Sequence, residues 1–246
     1  VKSPSRAIIL AAGQGKRLLP LTESRPKCLI EIAGRSLLSW QLLRLQAAGV
    51  EEAVIVTGFR AEAVEAEVAS LGLTMAIRLV FNPFYTVSDN TASCWIVRHE
   101  FDRDVLVLNG DTLFGPGVAE RLMGAPEAEI TVTIDRKSSY DADDMKVLTE
   151  KGSLRAIGKS IEAYDAESIG FLRFSSVGAA RFVAGIDRVL RSPEGLRRWY
   201  LSVIDELAHG GVEVRVCSIQ DLEWGEMDFL QDVQSLNRLA AGWTTP

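Results

Sequence analysis

The sequence predicts an α/β fold: a mainly parallel, in part mixed, sheet flanked by helices, with a small α+β region in the second half. Three observations predict it. Short apolar runs alternate with segments of helical spacing over the first half of the chain. Glycines stand at the ends of two of those helical segments, where chains commonly leave a helix. After about residue 140 the rhythm changes to short strands joined by turns, with helices following.

Ala7 to Leu10 reads as the first strand, Ala53 to Thr57 as the second and Met75 to Phe81 as the third. Val105 to Asn109 and Ile130 to Asp135 follow. Leu37 to Ala48 is helical and stops before Gly49; Ala61 to Leu71 stops at Gly72; Thr91 to Glu100 has Asn90 placed to cap it. Continuous apolar strands separated by helices imply a sheet covered on both faces, with ligands gathered at the carboxyl ends of its strands. In the second half, Met145 to Thr149, Leu154 to Ile157, Ser168 to Phe174 and Val212 to Cys217 read as strands. Val177 to Leu190, Arg198 to His209 and Phe229 to Ala240 read as helices. No repeat or linker interrupts the chain. The expectation is one domain over 1–246, in which 1–135 form a nucleotide-binding core. Residues 136–246 then supply an acceptor-binding lid and a metal-binding C-terminal segment.

A chain of 246 residues with 47% hydrophobic and 24% charged residues can bury a sizeable core. Its longest apolar runs, such as Ala7 to Ala12, are far too short to span a bilayer. Residues 1–6 lack the features of a signal peptide, so the cytoplasm is expected. Cys28, Cys94 and Cys217 are odd in number and far apart, which suggests neither a disulfide framework nor a zinc site. The net charge of −6 argues against a nucleic-acid partner, whose phosphate backbone needs a broad basic surface.

Against that negative background stands a positive island. From Gly13 to Lys27 there are four cations (Lys16, Arg17, Arg25, Lys27) and one acid, Glu23, in a loop that follows the first strand directly. Small residues at Ala11, Ala12, Gly13 and Gly15 let the backbone turn and leave amide N–H groups free for phosphate oxygens. A P-loop is excluded because no Gly-Lys-Ser/Thr follows at its spacing. A dinucleotide loop is excluded because Leu18 stands where its third glycine belongs. A solvated basic turn remains the alternative.

The spacing Leu-Ala-Ala-Gly-x-Gly-x-Arg-x-x-Pro-Leu-Thr from Leu10, with Pro26-Lys27 after it, is similar to the signature loop of the nucleotidyltransferases that act on sugar phosphates and phosphocholine. The resemblance implies a Rossmann-like core of the GT-A-like nucleotidyltransferase kind. It implies that Leu10, Ala11, Ala12, Gly13 and Gly15 wrap the triphosphate, that Arg17 and Lys27 are catalytic, and that Lys16 is a lesser phosphate contact. It also implies magnesium. Asp111, at the end of the buried strand Val105 to Asn109 and next to Gly110, matches the family's first metal aspartate, and Asp228 in Trp224-Gly225-Glu226-Met227-Asp228-Phe229 the second. An oxygen-only set of one or two carboxylates suits that ion. The alternatives are a turn or cap at Asp111 and the N-cap of the last helix at Asp228. Alternation in an extended segment places Glu226 on the side of Asp228, as a third ligand or a substrate contact.

Asn82-Pro83-Phe84-Tyr85, then Asn90 and Ser93, resembles the nucleotide-reading segment of phosphocholine-type cytidylyltransferases, which implies CTP. Clustered amides and hydroxyls can read a base edge and ribose. Asp144 to Val147, Ile157-Gly158-Lys159 and Glu167 to Phe171 resemble cytidylyltransferases for phosphocholine, phosphonoalkyl and inositol phosphate substrates. On that resemblance Lys159 holds the acceptor's phosphate. A choline-like cation would want aromatic faces and acids, which Tyr200 beside Trp199, and Trp224 with Glu226, could supply. A polyol would instead use Glu167.

The expected partners are CTP and a small phosphorylated or phosphonate acceptor such as phosphocholine or 2-aminoethylphosphonate. The sequence is silent on a homo-oligomer. The expected reaction is attack of a phosphate or phosphonate oxygen on the α-phosphorus of CTP. The alternatives are an inositol-1-phosphate or sugar-1-phosphate nucleotidyltransferase and, in another class, a non-catalytic nucleotide-binding regulatory subunit.

Overall fold

A computed structural model describes residues 4–244; residues 1–3, the start of the segment read above for a leader, and residues 245–246 lie outside it. The first half runs β1 (Arg6–Leu10), β2 (Glu31–Ile32), β3 (Arg35–Ser36), α1 (Leu37–Ala47), β4 (Glu52–Thr57), α2 (Ala61–Ser70), β5 (Ala76–Phe81), α3 (Asn90–Ile96), β6 (Val105–Asn109), β7 (Thr112–Phe114), α4 (Val118–Met123) and β8 (Ile130–Asp135). The second half adds β9 (Lys146–Glu150), β10 (Ser153–Gly158), β11 (Ala166–Phe174), α5 (Ser176–Leu190), α6 (Tyr200–His209), β12 (Val214–Ser218), β13 (Trp224–Glu226) and α7 (Leu230–Ala240).

The main sheet has the order β5-β4-β1-β6-β11-β8-β12-β10-β9. Its first four strands are parallel; β4, β1 and β6 are continuous apolar runs buried on both faces, while the edge strand β5 stays partly exposed. β11 then enters antiparallel between β6 and β8, so a strand of the second half lies in the middle of the sheet. Its first residues also pair with β9, which closes β11, β8, β12, β10 and β9 into a ring. All nine residues of β11 are buried, consistent with a strand that has neighbours on every side.

Side chains alternate across β1. Ile8 faces a core with Val54, Val107, Phe174 and Phe182, while Ala7 and Ile9 face one with Leu38, Leu42 and Leu106. A third, smaller core joins Leu18, Leu37, Trp40, Leu113, Met227 and Leu236. It fastens the loop after β1 to α1, to the β7–β13 pair and to α7. No helix among the described residues is long and apolar enough to cross a membrane.

Two helix starts differ from expectation. Asp89, not Asn90, precedes α3; Asn90 is its first residue and spends its Oδ1 on the Tyr200 backbone N–H at 2.9 Å. Phe229, not Asp228, precedes α7; there Asp232 accepts from the backbone N–H groups of Asp228 and Phe229 at 2.8 and 2.7 Å. Both aspartyl and asparaginyl side chains are thereby left to other partners.

Candidate active site

The strands β1, β4, β5 and β6 end on one rim, and the loops that leave them line the site. After β1, the Ala11 N–H still bonds to Val56 O at 2.9 Å, so the turn begins within reach of the sheet. Gly15 has φ +77°, a left-handed conformation natural to glycine, and a Cβ there would stand 2.8 Å from Lys27 Cβ. The loop is thus shaped to let the Lys27 stem lie against it. Thr22 Oγ1 donates to Gly15 O at 2.8 Å, and buried Leu18 pins the loop from below. Gly110 answers a second close approach: a Cβ there would lie 2.6 Å from Leu10 O.

Lys27 Nζ sits between Asp111 Oδ2 at 2.8 Å and Asp228 Oδ1 at 2.7 Å. Arg17 reaches the same Asp228 oxygen at 2.9 Å and Asp143 at 3.2 Å. Burial opposes the Lys27 charge, but the two carboxylates outweigh it and hold its pKa above the usual lysine value. Burial likewise pushes Asp228 up, while Lys27 and Arg17 overcome it and hold Asp228 below the usual carboxylate range. Glu226 completes the group. Its outer edge meets solvent, yet it lies down in the cleft, and that burial, with Asp111 and Asp228 beside it, raises its pKa.

Asp111, Glu226 and Asp228 each offer an oxygen within 4.8 Å of the others. Asp111 Oδ1 is buried and has no hydrogen-bond partner among the described residues. Three carboxylates of like charge, one with an orphaned oxygen, fit a hard divalent cation held by oxygen ligands.

Three cavities converge on this group. The first, of ≈ 210 Å³, is walled by Leu10, Ala11, Ala12, Gly13, Asn82, Tyr85, Asn90, Ser93 and Gly110, with Lys27 and Asp111 at its inner end. Asn82 Nδ2 donates to Ser93 Oγ at 3.1 Å and its Oδ1 accepts from Phe84 N at 2.8 Å. These bonds brace the wall before any ligand arrives. Gly15 supports the loop from behind, and Lys16 is exposed and outside the cavity wall. The second cavity, of ≈ 220 Å³, is the junction, where Arg17, Lys27, Asp111, Lys159, Glu226 and Asp228 meet. Lys159 Nζ stands 4.6 Å over the Trp199 ring and 3.4 Å from Asp143.

The third cavity, of ≈ 570 Å³, is lined by eight carboxylates and one lysine, with Trp224 and Phe229 among its walls. Trp224 Nε1 donates to Asp135 at 2.9 Å. Glu167 is buried there and pairs with Lys137 at 2.9 Å. Burial pushes the Glu167 carboxyl up to about 7; Lys137 opposes the shift and Asp144 adds to it.

Tyr200 does not join the acceptor side. As the first residue of α6 its ring turns inward, fully buried against Phe182, and its hydroxyl has no partner among the described residues. Its neighbour Trp199 is the exposed one and walls the junction. Sequence reasoning also missed Asp89, which accepts from the Trp199 side chain, and Asp143, which bridges Arg17 and Lys159. Asp89 stands beside Asn90 in the stretch read for the nucleotide and Asp143 lies in no motif; the partners of both are distant in sequence, so no local signal marked them.

Over 92% of its length the chain is 35% identical to the CMP-5'-(3-aminopropyl)phosphonate synthase of Streptomyces rubellomurinus, and over 96% it is 30% identical to a bifunctional IPC transferase and DIPP synthase of Rubrobacter xylanophilus. It spans 37% of the first relative and 52% of the second. The fold is that of the inositol-1-phosphate CTP transferase from T. maritima, at TM-score 0.80, 21% identity and 99% coverage of both chains. The family model described as nucleotidyl transferase matches residues 6–146, from β1 to the start of β9, and the chain belongs to that family.

Proposed function

We propose that the protein is a magnesium-dependent cytidylyltransferase working in the cytoplasm. It transfers CMP from CTP to a small phosphonate or phosphate acceptor that carries a cationic end. The observation that carries this reading is the junction, where Lys27 is held between Asp111 and Asp228 with a near-neutral cavity on one side and a strongly acidic one on the other. The name of the Streptomyces relative, a synthase of a CMP-linked aminoalkyl phosphonate, supports both CTP and an amine-bearing acceptor.

In this mechanism the amides of Ala11 to Gly13 face the triphosphate and the Asn82–Ser93 wall takes the base and ribose. Lys159 orients the acceptor's phosphonate, and the Trp224–Glu226 side receives its ammonium. A phosphonate oxygen forms a bond to the α-phosphorus as the bridge to the β-phosphate breaks and pyrophosphate leaves. The nucleophile is already anionic near neutral pH, so no side chain need remove a proton. Arg17 and Lys27 are preorganised to meet charge that grows on the transferring and leaving phosphates. A cation held by Asp111 and Asp228 would add charge neutralisation at the same phosphates.

The test is a panel of CTP, UTP, dTTP and GTP against 2-aminoethylphosphonate, 3-aminopropylphosphonate, phosphocholine, inositol phosphate and glucose 1-phosphate, read by pyrophosphate release with and without EDTA. CTP with an amine-bearing acceptor gives the highest kcat/KM, and EDTA abolishes it. Preference for inositol phosphate or glucose 1-phosphate overturns the acceptor class, since the same carboxylates can accept from polyol hydroxyls. Tight CTP binding with no release under any pairing supports a non-catalytic binder instead.

A further inference from the structure

Gln41 lies in the second turn of α1, in the run Leu38-Ser39-Trp40-Gln41-Leu42, yet it is 1% exposed. Its side chain crosses to the turn between β6 and β7. There Nε2 donates to Asn109 O and to Thr112 O, each at 2.8 Å. Those two carbonyls bracket Gly110 and Asp111. A primary amide is the side chain that offers two N–H groups from one nitrogen in a neutral form, which suits it to closing both carbonyls in the core. Its own Oε1 is buried without a hydrogen-bond partner among the described residues. A group that leaves its acceptor end unpaired in the core is retained at a cost, so its worth lies in what it donates.

The rest of the turn is held from other sides. Thr112 Oγ1 donates to Ile169 O at 2.7 Å, Gly110 N to Leu10 O at 3.0 Å, and Met227 N to Asp111 O at 3.1 Å. Gln41 supplies the remaining clasp, and it is the only one of these that comes from a helix.

The geometry points to Gln41 as a positioning residue for Asp111: by gripping the carbonyls on either side, it fixes the rotation of the turn that aims the carboxylate at Lys27 and Asp228. This rests on the reading of Asp111 as a metal-holding acid. Partners that orient a ligand commonly change metal affinity 10–100-fold when removed, and small misplacements at a reacting centre cost on the order of 100-fold in rate.

The experiment compares the full chain with Gln41→Met, which keeps the volume and removes both donors. Mn2+ binding to nucleotide-free protein is read by calorimetry, beside kcat, acceptor KM and thermal stability. The expected result is an Mn2+ Kd raised about tenfold and kcat lowered about 10- to 100-fold, with acceptor KM within about twofold of wild type because that subsite is untouched. A variant that melts earlier but keeps wild-type Mn2+ affinity and kcat well below its Tm overturns the proposal and leaves the metal reading intact. Wild-type protein that binds no Mn2+ overturns the metal reading itself, and the proposal with it. Should Gln41→Met not fold, Gln41→Leu removes the same two donors with a different shape: loss of Mn2+ affinity in that variant supports the clasp, and wild-type affinity overturns it.

Discussion

The first cavity, at the carboxyl ends of the parallel strands, and the acidic chamber meet where Lys27 pairs with Asp228 but are built by different means. The first is made largely of backbone at the ends of parallel strands, with small residues allowing close approach and Asn82 and Ser93 already bonded to each other. The second is made of side chains from the 135–144 connection, from β11 and from β13 to the start of α7, with eight acids facing one another. A backbone-lined wall has its donors fixed before binding and suits a ligand common to a family. A side-chain chamber can change its occupant by changing a few residues. On the function proposed above, the difference puts reaction chemistry on one side and acceptor choice on the other.

The contrast breaks most visibly at Lys27, which lines the first cavity and pairs with Asp228 of the second. Lys27→Ala is expected to lower turnover by about two orders of magnitude or more, as loss of a preorganised charge contact can. It should do so for every acceptor alike, and steady-state assays giving near-normal turnover would remove Lys27 from the chemistry.

The chamber's acids give the next effect, in stability. Glu167 titrates at about 7 in the fold against 4.5 ordinarily, so the folded state holds its proton more tightly than the unfolded one. That stabilisation is complete below about pH 4.5 and is lost as pH rises through 7. Glu167→Gln should therefore gain on wild type between pH 5 and 8, by on the order of 2–3 kcal/mol. Denaturant melts with the same pH slope in both proteins would contradict this.

Glu226→Gln sharpens the division further: KM for an amine-bearing acceptor should rise about tenfold, the scale of one exposed-edge charge contact, and KM for CTP should hold. An equal rise in both would merge the two regions. The smallest effect is expected at Tyr200→Phe, which removes a buried hydroxyl that has no partner. Acceptor KM should not move, and stability should hold or improve by up to about 1 kcal/mol; a raised acceptor KM would return Tyr200 to the site.

The same contrast explains what the sequence reveals. The parallel strands are legible because each is a continuous apolar run, and the loop after β1 because glycines and cations crowd a short stretch of an acidic chain. The pairs β2–β3 and β7–β13 are two or three residues per strand, too short for a periodic signal; partners distant in sequence decide them. The position of β11 between β6 and β8 is likewise a matter of pairing, not of local pattern. At Trp199-Tyr200 the composition is right but the helix register, set by packing against Phe182, turns one ring inward and leaves its neighbour in the cleft. Gln41 gives no hint at all, because a polar residue on an amphipathic helix reads as surface until its partners are seen.

The placement of β11 has a consequence for how the chain could be divided. One edge of that strand satisfies β6, which leads into Asp111, and the other satisfies β8 and the ring of strands that β9 closes. A fragment stopping at β8 would leave β6 with a row of unanswered amides and carbonyls, and a fragment starting at β9 would leave β11 paired only at Ala166 and Glu167. Two such halves expressed apart would be sticky alone and would have to find each other along that seam. A nick in the exposed 137–143 stretch would then separate the polypeptide without separating the protein.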